Sequence, residues 1–278
     1  MHFIDSWSAH DQRETKLYHD DLGKGPPVVL IHGWPLSAAS WEPQMLHLPE
    51  HGLRVVAYDR RGFGRSSKPW AGYDYDTLAD ELKAVLDALD LQDVTLVGFS
   101  MGGGEVARYM SRHRGARVAK VAFVSAITPY LRKSEQNPSG VDGAIFDQMF
   151  ERIEIDRFDF LSSHVRQFFG VGLFHKPVSE AMLQWAQNIA EQASPKATVD
   201  CLRAYSETDF RDDLRAIKVP ALVIHGAGDA HVTPEASAER TAALIPGSTL
   251  KIYEGAPHGL TVTHGRRFNA DLAEFVLG

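Results

Sequence analysis

Six short, mostly apolar runs rich in β-branched residues recur along this sequence, and helical patterns lie between several of them. The runs cover residues 28–32, 54–58, 94–97, 118–124, 221–224 and 249–253. Such runs are typical of strands that are buried on both faces of a sheet. After the second run, apolar residues from Leu78 to Leu89 recur at helical spacing, and Asp76 or Thr77 is predicted to open that helix. Strands joined by such helices need right-handed crossovers. We therefore predict an α/β fold with a mostly parallel, doubly wound sheet.

The alternation of strands and helices stops between about residues 128 and 212. This stretch contains helical apolar spacings, such as that of Met182 and Trp185, but no run that is typical of a strand. A helical insertion between two strands of such a sheet is typical of a cap over the strand ends. We predict an α/β core formed by residues 1–127 and 213–278 and a helical cap formed by residues 128–212. A plain additional helical layer is the alternative interpretation.

The composition argues against several other classes of protein. Among 278 residues, 29 are Lys or Arg and 36 are Asp or Glu, which gives a formal net charge of −7 with neutral histidines. A mildly acidic chain without a basic block argues against nucleic acid and against an anionic membrane surface as partners. The single Cys201 cannot form an internal disulfide.

The start of the chain bears on where the protein is located. The first ten residues contain no basic segment followed by an apolar one, and the chain contains no apolar run of about 18 residues. Neither a signal peptide nor a membrane span is therefore predicted. We expect a cytoplasmic protein.

A serine stands at a sharp corner directly after the third predicted strand. The segment Gly98-Phe99-Ser100-Met101-Gly102 joins that strand to a helical pattern. A serine on such a turn adopts strained backbone angles, so the positions two residues before and after it must lack bulk. Glycines fill both positions, and Gly103 and Gly104 follow, although each glycine costs a helix about 1 kcal/mol relative to alanine. The pattern predicts that Ser100 is a nucleophile at a helix N-terminus, with a glycine-rich structural turn as the alternative.

A serine hydroxyl needs a general base, and that base needs an acid to orient it. Residues that directly follow parallel strands share one edge of the sheet, so they are the candidates for both roles. Asp229 follows the run at 221–224, and His258 follows the run at 249–253. We predict Ser100, Asp229 and His258 as the catalytic residues, in this chain order.

The other histidines are expected in loops or on solvated helix faces. His47 and His51 are four residues apart on one predicted helix, but Pro49 interrupts it and no third ligand lies nearby in the sequence. We therefore predict no metal site. The glycines at 62–64 and 102–104 lack the strand–helix context of a dinucleotide-binding motif.

An acyl-transfer mechanism also needs two backbone N–H groups that stabilise the oxyanion. Met101, which follows the nucleophile, is predicted to supply one of them. Trp34 is predicted to supply the other from the loop after the first strand, where Gly33 permits a close backbone approach and Pro35 has no N–H.

Aromatic residues near these positions are candidate walls of a substrate pocket. An apolar pocket around Trp34 and Met101 would suit small acyl groups. The candidate wall residues are Phe99, Phe168 and Phe169.

Several longer motifs of this chain resemble those of one known superfamily. They are His32-Gly-Trp-Pro35, Asp59-Arg-Arg-Gly-Phe-Gly-Arg-Ser66, Gly98-Phe-Ser-Met-Gly-Gly-Gly-Glu-Val-Ala-Arg-Tyr109, Tyr205-Ser-Glu-Thr-Asp-Phe210 and Gly255-Ala-Pro-His-Gly-Leu-Thr261. The chain resembles the α/β-hydrolase superfamily from about residue 15 to its end. Within it, the chain resembles the cofactor-free haloperoxidases (perhydrolases) and their close relatives, the small aryl esterases.

The resemblance implies an α/β-hydrolase fold and supports the same catalytic triad and the same two oxyanion donors. It also implies that no haem, metal or flavin takes part. The chain departs from the family pattern at Ala227, where the family usually has the first aspartate of Asp-x-Asp, but the catalytic acid of the family is the second, Asp229. A proline that usually follows is displaced here to Pro234.

These residues predict a serine hydrolase that cleaves small aryl or short-chain acyl esters through an acyl-enzyme. The resemblance adds that hydrogen peroxide in place of water gives a peracid, which oxidises bromide or chloride. A lactamase or other amidase, a carbon–carbon bond hydrolase and a small-molecule receptor remain alternatives. Epoxide hydrolases and haloalkane dehalogenases are disfavoured because they use an aspartate where this chain has Ser100. The expected partners are a small ester and hydrogen peroxide, and a homo-oligomer is left open.

Overall fold

A computed structural model describes residues 2–8, 13–138 and 140–278 of the chain. The strands are β1 (Phe3–Ser8), β2 (Arg13–Gly23), β3 (Pro27–Ile31), β4 (Arg54–Tyr58), β5 (Val94–Phe99), β6 (Val118–Val124), β7 (Ala221–Gly226) and β8 (Thr249–Tyr253). The helices are α1 (Glu42–His47), α2 (Tyr75–Ala88), α3 (Met101–Arg112), α4 (Gly143–Phe168), α5 (Glu180–Glu191), α6 (Pro195–Glu207), α7 (Arg211–Arg215), α8 (Ala238–Leu244), α9 (Leu260–Thr263) and α10 (Gly265–Leu277).

The expectation that the chain has no signal peptide rests on its first ten residues. Of these, Met1 and residues 9–10 lie outside the described residues. Among the helices of the described part, none combines the length and the apolar composition that crossing a membrane requires.

The strands of the described residues form one sheet in the order β1-β2-β4-β3-β5-β6-β7-β8. Neighbouring strands from β3 to β8 all pair in parallel. These are the six strands predicted from the apolar runs, so the prediction of an α/β fold with a mostly parallel sheet is confirmed. The carboxyl ends of β3, β5, β7 and β8 therefore meet at one edge of the sheet.

Sequence analysis missed the two N-terminal strands. β1 pairs antiparallel with β2, and β2 pairs antiparallel with β4. In β2 only alternate side chains are buried, among them Thr15, Leu17 and His19, and the residues between them are mostly charged or polar. An antiparallel strand with one solvated face needs no continuous apolar run, which explains why β2 was not predicted.

The helix predicted to open at Asp76 or Thr77 begins earlier than expected, at Tyr75. Asp74 is its N-cap, and the Asp74 carboxylate accepts a hydrogen bond of 2.9 Å from the backbone N–H of Thr77. An N-cap aspartate satisfies an amide that has no partner inside the helix, so the helix starts directly after it. The predicted apolar face, including Leu78 and Leu82, is buried.

Helices α4 to α7 follow β6 and precede β7, in the stretch where the cap is predicted. The backbone of Asp156 has non-helical angles and divides α4 into two segments. The division of the chain into a core and a cap at residues 128 and 212 stays a prediction.

Candidate active site

Ser100 occupies a strained turn between β5 and α3. Its backbone angles are φ 52° and ψ −117°, in a region that residues with a side chain rarely adopt. The first turn of α3 lies directly against the end of β3, because a Cβ at Gly102 would come within 2.5 Å of the carbonyl oxygen of Ile31. A glycine at this position lets the serine stand at the N-terminus of the helix, as the sequence motif predicts.

The structure brings Ser100, His258 and Asp229 together as one hydrogen-bonded chain. The Oγ of Ser100 lies 3.0 Å from Nε2 of His258, and Nδ1 of His258 lies 2.6 Å from Oδ2 of Asp229. Because a carboxylate accepts hydrogen bonds, Nδ1 of His258 donates to Asp229 and Nε2 is free to accept from the Ser100 hydroxyl. All three residues are buried. This geometry is suited to activating a serine hydroxyl.

The carboxylate of Asp229 is surrounded by hydrogen-bond donors. The backbone N–H groups of His231 and Val232 donate to Oδ1 at 2.9 and 3.0 Å, and Nε2 of His225 lies 3.1 Å from Oδ2. Burial alone would raise the pKa of Asp229. The charge of His258 and the hydrogen bonds from His225 and His258 oppose burial and hold this pKa well below its usual range. Asp229 is therefore an anion at neutral pH.

The loop after β3 lies against Ser100, the predicted nucleophile. A Cβ at Gly33 would lie 2.7 Å from Cδ1 of Phe99 and 3.0 Å from Cβ of Ser100. Trp34 follows directly, and its indole N–H donates a hydrogen bond of 3.0 Å to the carbonyl oxygen of Thr198 in α6. Trp34, one predicted oxyanion donor, is therefore carried by a loop that lies beside Ser100. Met101, the other predicted donor, begins α3 directly after Ser100.

A buried ion pair that sequence analysis did not single out supports this loop. The Nε of Arg60 donates to Oε2 of Glu105 at 2.8 Å, and both side chains are almost fully buried. Arg60 also donates from Nη2 to the carbonyl oxygen of His32 at 2.9 Å, and Tyr58 donates to the other oxygen of Glu105. The pair therefore ties α3 to the loop that carries Trp34. Arg60 and Glu105 both lie within motifs quoted above, which is the signal that could have identified them.

Ser100 and His258 line a cavity of about 300 Å³. One group of its wall residues is apolar and comes from the loop after β6 and from α4: Ile127, Leu131, Val141, Ile145, Phe146 and Met149. Another group is polar or aromatic: Trp34, Gln148, Arg152, Ser163, His164, Gln167, Tyr205 and His231. A concave, mostly apolar site with a few polar groups is typical of a pocket for a small molecule.

The structure places the three predicted pocket residues, Phe99, Phe168 and Phe169, beside a different cavity. None of the three belongs to the wall of the cavity beside Ser100, and all three line a second, much narrower recess. The rings of Phe99 and Phe168 instead lie 5.2 and 5.4 Å from the ring of His258. These two apolar rings pack around the imidazole of His258 and shield it from water.

The expectation that the other histidines mostly lie in loops or on helix faces with a solvated surface role does not hold for His19, His32 and His225, which are buried. His225 is fully buried beside Asp229, and His164 and His231 line the cavity. Histidine and aromatic residues recur at helical spacing on α4, but this pattern does not identify which of them face the cavity. The sequence of the loop after β7 does not identify the side chain that faces the cavity either.

The described residues contain no group of three or more His, Cys, Asp or Glu side chains arranged to hold a metal ion. His47 ends α1, and His51 lies in a separate short turn of 3₁₀-helix that contains Pro49.

Several known proteins are similar to this chain in sequence and in structure. The family model of the alpha/beta hydrolase fold matches residues 26–264 of the sequence. A non-heme chloroperoxidase of Streptomyces lividans is 43% identical, with 94% of this chain and 96% of that protein covered. A bifunctional esterase/perhydrolase of Acinetobacter calcoaceticus is 38% identical, with 94% of this chain and 95% of that protein covered. The crystal structure of a bromoperoxidase from Bacillus anthracis has a TM-score of 0.94 and 47% identity, with 99% of this chain and 100% of that chain covered.

Proposed function

Because this chain belongs to the α/β hydrolase fold family and is an enzyme, we propose that it hydrolyses small aryl or short-chain acyl esters with Ser100 as the nucleophile and also transfers the acyl group to hydrogen peroxide. One observation carries the proposal. The hydrogen-bonded chain from Ser100 through His258 to Asp229 opens into a cavity large enough for a small ester.

In the acylation step, His258 takes the proton of the Ser100 hydroxyl while Oγ attacks the ester carbonyl carbon. The backbone N–H groups of Trp34 and Met101 stabilise the negative charge that develops on the carbonyl oxygen. When the carbon–oxygen bond of the ester breaks, His258 returns the proton to the leaving alcohol. The anionic Asp229 keeps His258 in the required tautomer and stabilises its charged form.

In the second step, a small nucleophile releases the acyl group from Ser100. Water gives the carboxylic acid, and hydrogen peroxide gives the peracid, with His258 again taking the proton. The peracid then oxidises a halide ion and is itself reduced to the carboxylic acid. The names of the similar proteins, a chloroperoxidase and an esterase/perhydrolase, support this second outcome.

Ser100→Ala tests the nucleophile with p-nitrophenyl acetate as the substrate. We expect the steady-state rate and the initial burst of p-nitrophenol to disappear, because the acyl-enzyme cannot form. The matched control is Ser40→Ala in the short turn before α1, outside the cavity wall. Full turnover by Ser100→Ala refutes the assignment.

The peroxide reaction is tested by halogenation with bromide and hydrogen peroxide, in acetate buffer and in buffer free of carboxylates. We expect bromination only in acetate, since the peracid route needs an acyl group. Bromination of equal rate in both buffers contradicts the peracid route but leaves the esterase proposal intact.

A small ester and hydrogen peroxide are the partners that this proposal requires. We further propose a cytoplasmic location, which fits the free, buried thiol of Cys201. Fractionation of the source cells tests the location. Sedimentation of the purified protein measures its oligomeric state.

A further inference from the structure

The wall of the cavity next to the triad contains two histidines that the proposed mechanism does not use. His164 lies on α4, and His231 lies in the loop after β7, so 67 positions of sequence separate two rings whose centroids are only 4.4 Å apart. The ring of His231 lies 5.2 Å from that of His258, and the ring of His164 lies 5.1 Å from that of Trp34. The two imidazoles therefore connect the base to the oxyanion loop along one side of the cavity.

One nitrogen of the His231 ring is not satisfied by the protein. This atom, Nε2, is buried and has no hydrogen-bond partner among the described residues. The ring of His164 packs on those of Phe160, Trp34 and His231. A buried polar atom without a partner is costly, and a phenylalanine or leucine of similar shape would avoid that cost. A partner that arrives with the substrate would remove the cost.

Both histidines are held in the neutral form. Burial is the main cause, and it lowers the pKa of His231 to about 3 and that of His164 well below its usual value. A neutral imidazole has one N–H donor and one acceptor nitrogen. Since χ2 of histidine is a soft, roughly two-fold torsion, rotation of the ring can present either edge to the cavity.

We propose that His164 and His231 form a subsite for an uncharged hydrogen-bonding group of the substrate, a hydroxyl or an oxo group carried by the ester close to the scissile bond. This inference rests on the proposed esterase function and names the class of ester that it favours. The apolar wall opposite, with Leu131, Phe146 and Met149, accepts the carbon chain of the same ester.

A carboxylate is a less suitable ligand for this subsite. The formally charged residue of the cavity wall is Arg152, which is half exposed and already donates to Ser163 at 2.7 Å and pairs with Asp159. Two neutral imidazoles inside the cavity do not compensate the desolvation of an anion. An uncharged hydroxyl or oxo group needs only the donor and acceptor that they offer.

The test compares matched esters that differ by one polar group. Methyl butanoate is paired with methyl 3-hydroxybutanoate and methyl 3-oxobutanoate for the acyl side, and propyl acetate is paired with 2-hydroxypropyl acetate for the alcohol side. We expect the wild type to show a kcat/KM at least about ten-fold higher for the polar member of one pair, because a site built to bond a polar group rejects the analogue that lacks it.

The variants His164→Phe and His231→Leu remove the nitrogens and keep an apolar side chain. We expect each to lower the ratio of kcat/KM between polar and plain ester, and the double variant to bring it close to one. His231→Gln, which retains a donor and an acceptor, should restore part of the ratio. His47→Leu on exposed α1 is the matched control and should leave the ratio at the wild-type value.

Two outcomes overturn the subsite without affecting the proposed function. Either the wild type shows no preference within either pair, or folded variants keep the wild-type ratio. The first outcome needs no variant, so the test stands even where a substitution prevents folding. If the wild type hydrolyses none of these esters and no p-nitrophenyl acetate, the proposed function fails instead.

Discussion

Nε2 of His225 lies 3.1 Å from Oδ2 of Asp229 and 2.8 Å from the carbonyl oxygen of Val232. A carbonyl oxygen only accepts hydrogen bonds, so Nε2 carries the proton and His225 donates to both oxygens. The side chains of His225 and Asp229 are fully buried, and Oδ2 also accepts from His258. We therefore expect His225 to act as a positioning residue for the proposed catalytic acid Asp229, because His225 and His258 hold the same carboxylate oxygen.

Replacement of His225 tests this role. We expect His225→Leu to lower kcat by roughly ten-fold, because hydrogen bonds to a charged group contribute about 1.5–3 kcal/mol and the Asp229 carboxylate loses one of its donors. His225→Gln should recover much of kcat, since its amide can donate from a similar place. The measurement is steady-state hydrolysis of p-nitrophenyl acetate together with thermal unfolding. Equal losses in both variants at equal stability would show that the donor has no positioning role.

The buried pair of Arg60 and Glu105 should dominate the effect of substitutions outside the triad. Burial favours the neutral form of each partner: it raises the pKa of Glu105 and lowers that of Arg60. Glu105→Gln removes the counter-charge of a buried guanidinium, so we expect the free energy of unfolding to fall by about 3–5 kcal/mol. Urea denaturation measures this change.

The exposed pair of Arg112 and Asp80 provides the control for this experiment. These side chains are 39% and 46% exposed, so solvent screens their attraction. Asp80→Ala should lower the free energy of unfolding by no more than about 1 kcal/mol. A Glu105→Gln effect of the same small size would contradict the importance of the buried pair.

The close approach of Gly33 to the nucleophile predicts a loss of activity without a comparable loss of stability. The Cβ of Gly33→Ala would press on Phe99 and Ser100 and move the loop that carries Trp34. Displacing one oxyanion donor costs about 10²–10³-fold in kcat, so we expect a loss near the lower end of that range. Kinetics with p-nitrophenyl acetate measure it.

The control for Gly33→Ala is Gly265→Ala at the start of α10, where an added Cβ meets no atom within 4 Å. This variant should keep wild-type kcat. If both variants keep it, the backbone of the β3 loop does not take part in stabilising the oxyanion.

The buried histidines predict that acid destabilises the fold. In the unfolded chain a histidine titrates near pH 6.5, but burial lowers the pKa of His231 to about 3. Between these values the unfolded state binds a proton that the folded state does not, so stability falls as the pH falls, by about 1.4 kcal/mol per pH unit for each such residue. The lowered pKa of Asp229 acts in the same direction below about pH 4, where the unfolded carboxylate becomes protonated.

His231→Leu removes one of the side chains that bind a proton in the unfolded state but not in the folded state. We expect its free energy of unfolding, measured by urea denaturation between pH 4.5 and 6, to depend less steeply on pH than that of the wild type. Parallel curves for the two proteins would mean that His231 binds its proton equally in both states.

Two kinds of feature were predictable from local sequence. The strands β3 to β7 are largely buried, and that environment requires continuous apolar runs, which the sequence displays. β8 has a similar run, but it lies at the edge of the sheet and only its Tyr253 is buried. The candidate nucleophile, acid and base were predicted because each follows one of these strands, and parallel pairing brings the ends of those strands to one edge. β1 and β2 escaped notice because an edge hairpin with a solvated face carries a weaker pattern.

The sequence by itself determined which backbone segments are buried and which residues follow their carboxyl ends, since both depend on short-range patterns of polarity and turn residues. Only the tertiary structure decided the partners of buried polar groups, such as His225 with Asp229 and Arg60 with Glu105. The physical reason is that a polar side chain is tolerated inside a protein only when a hydrogen-bonding or charged partner lies close to it. Such partners come from distant parts of the chain, and they come close to each other only when the chain has folded.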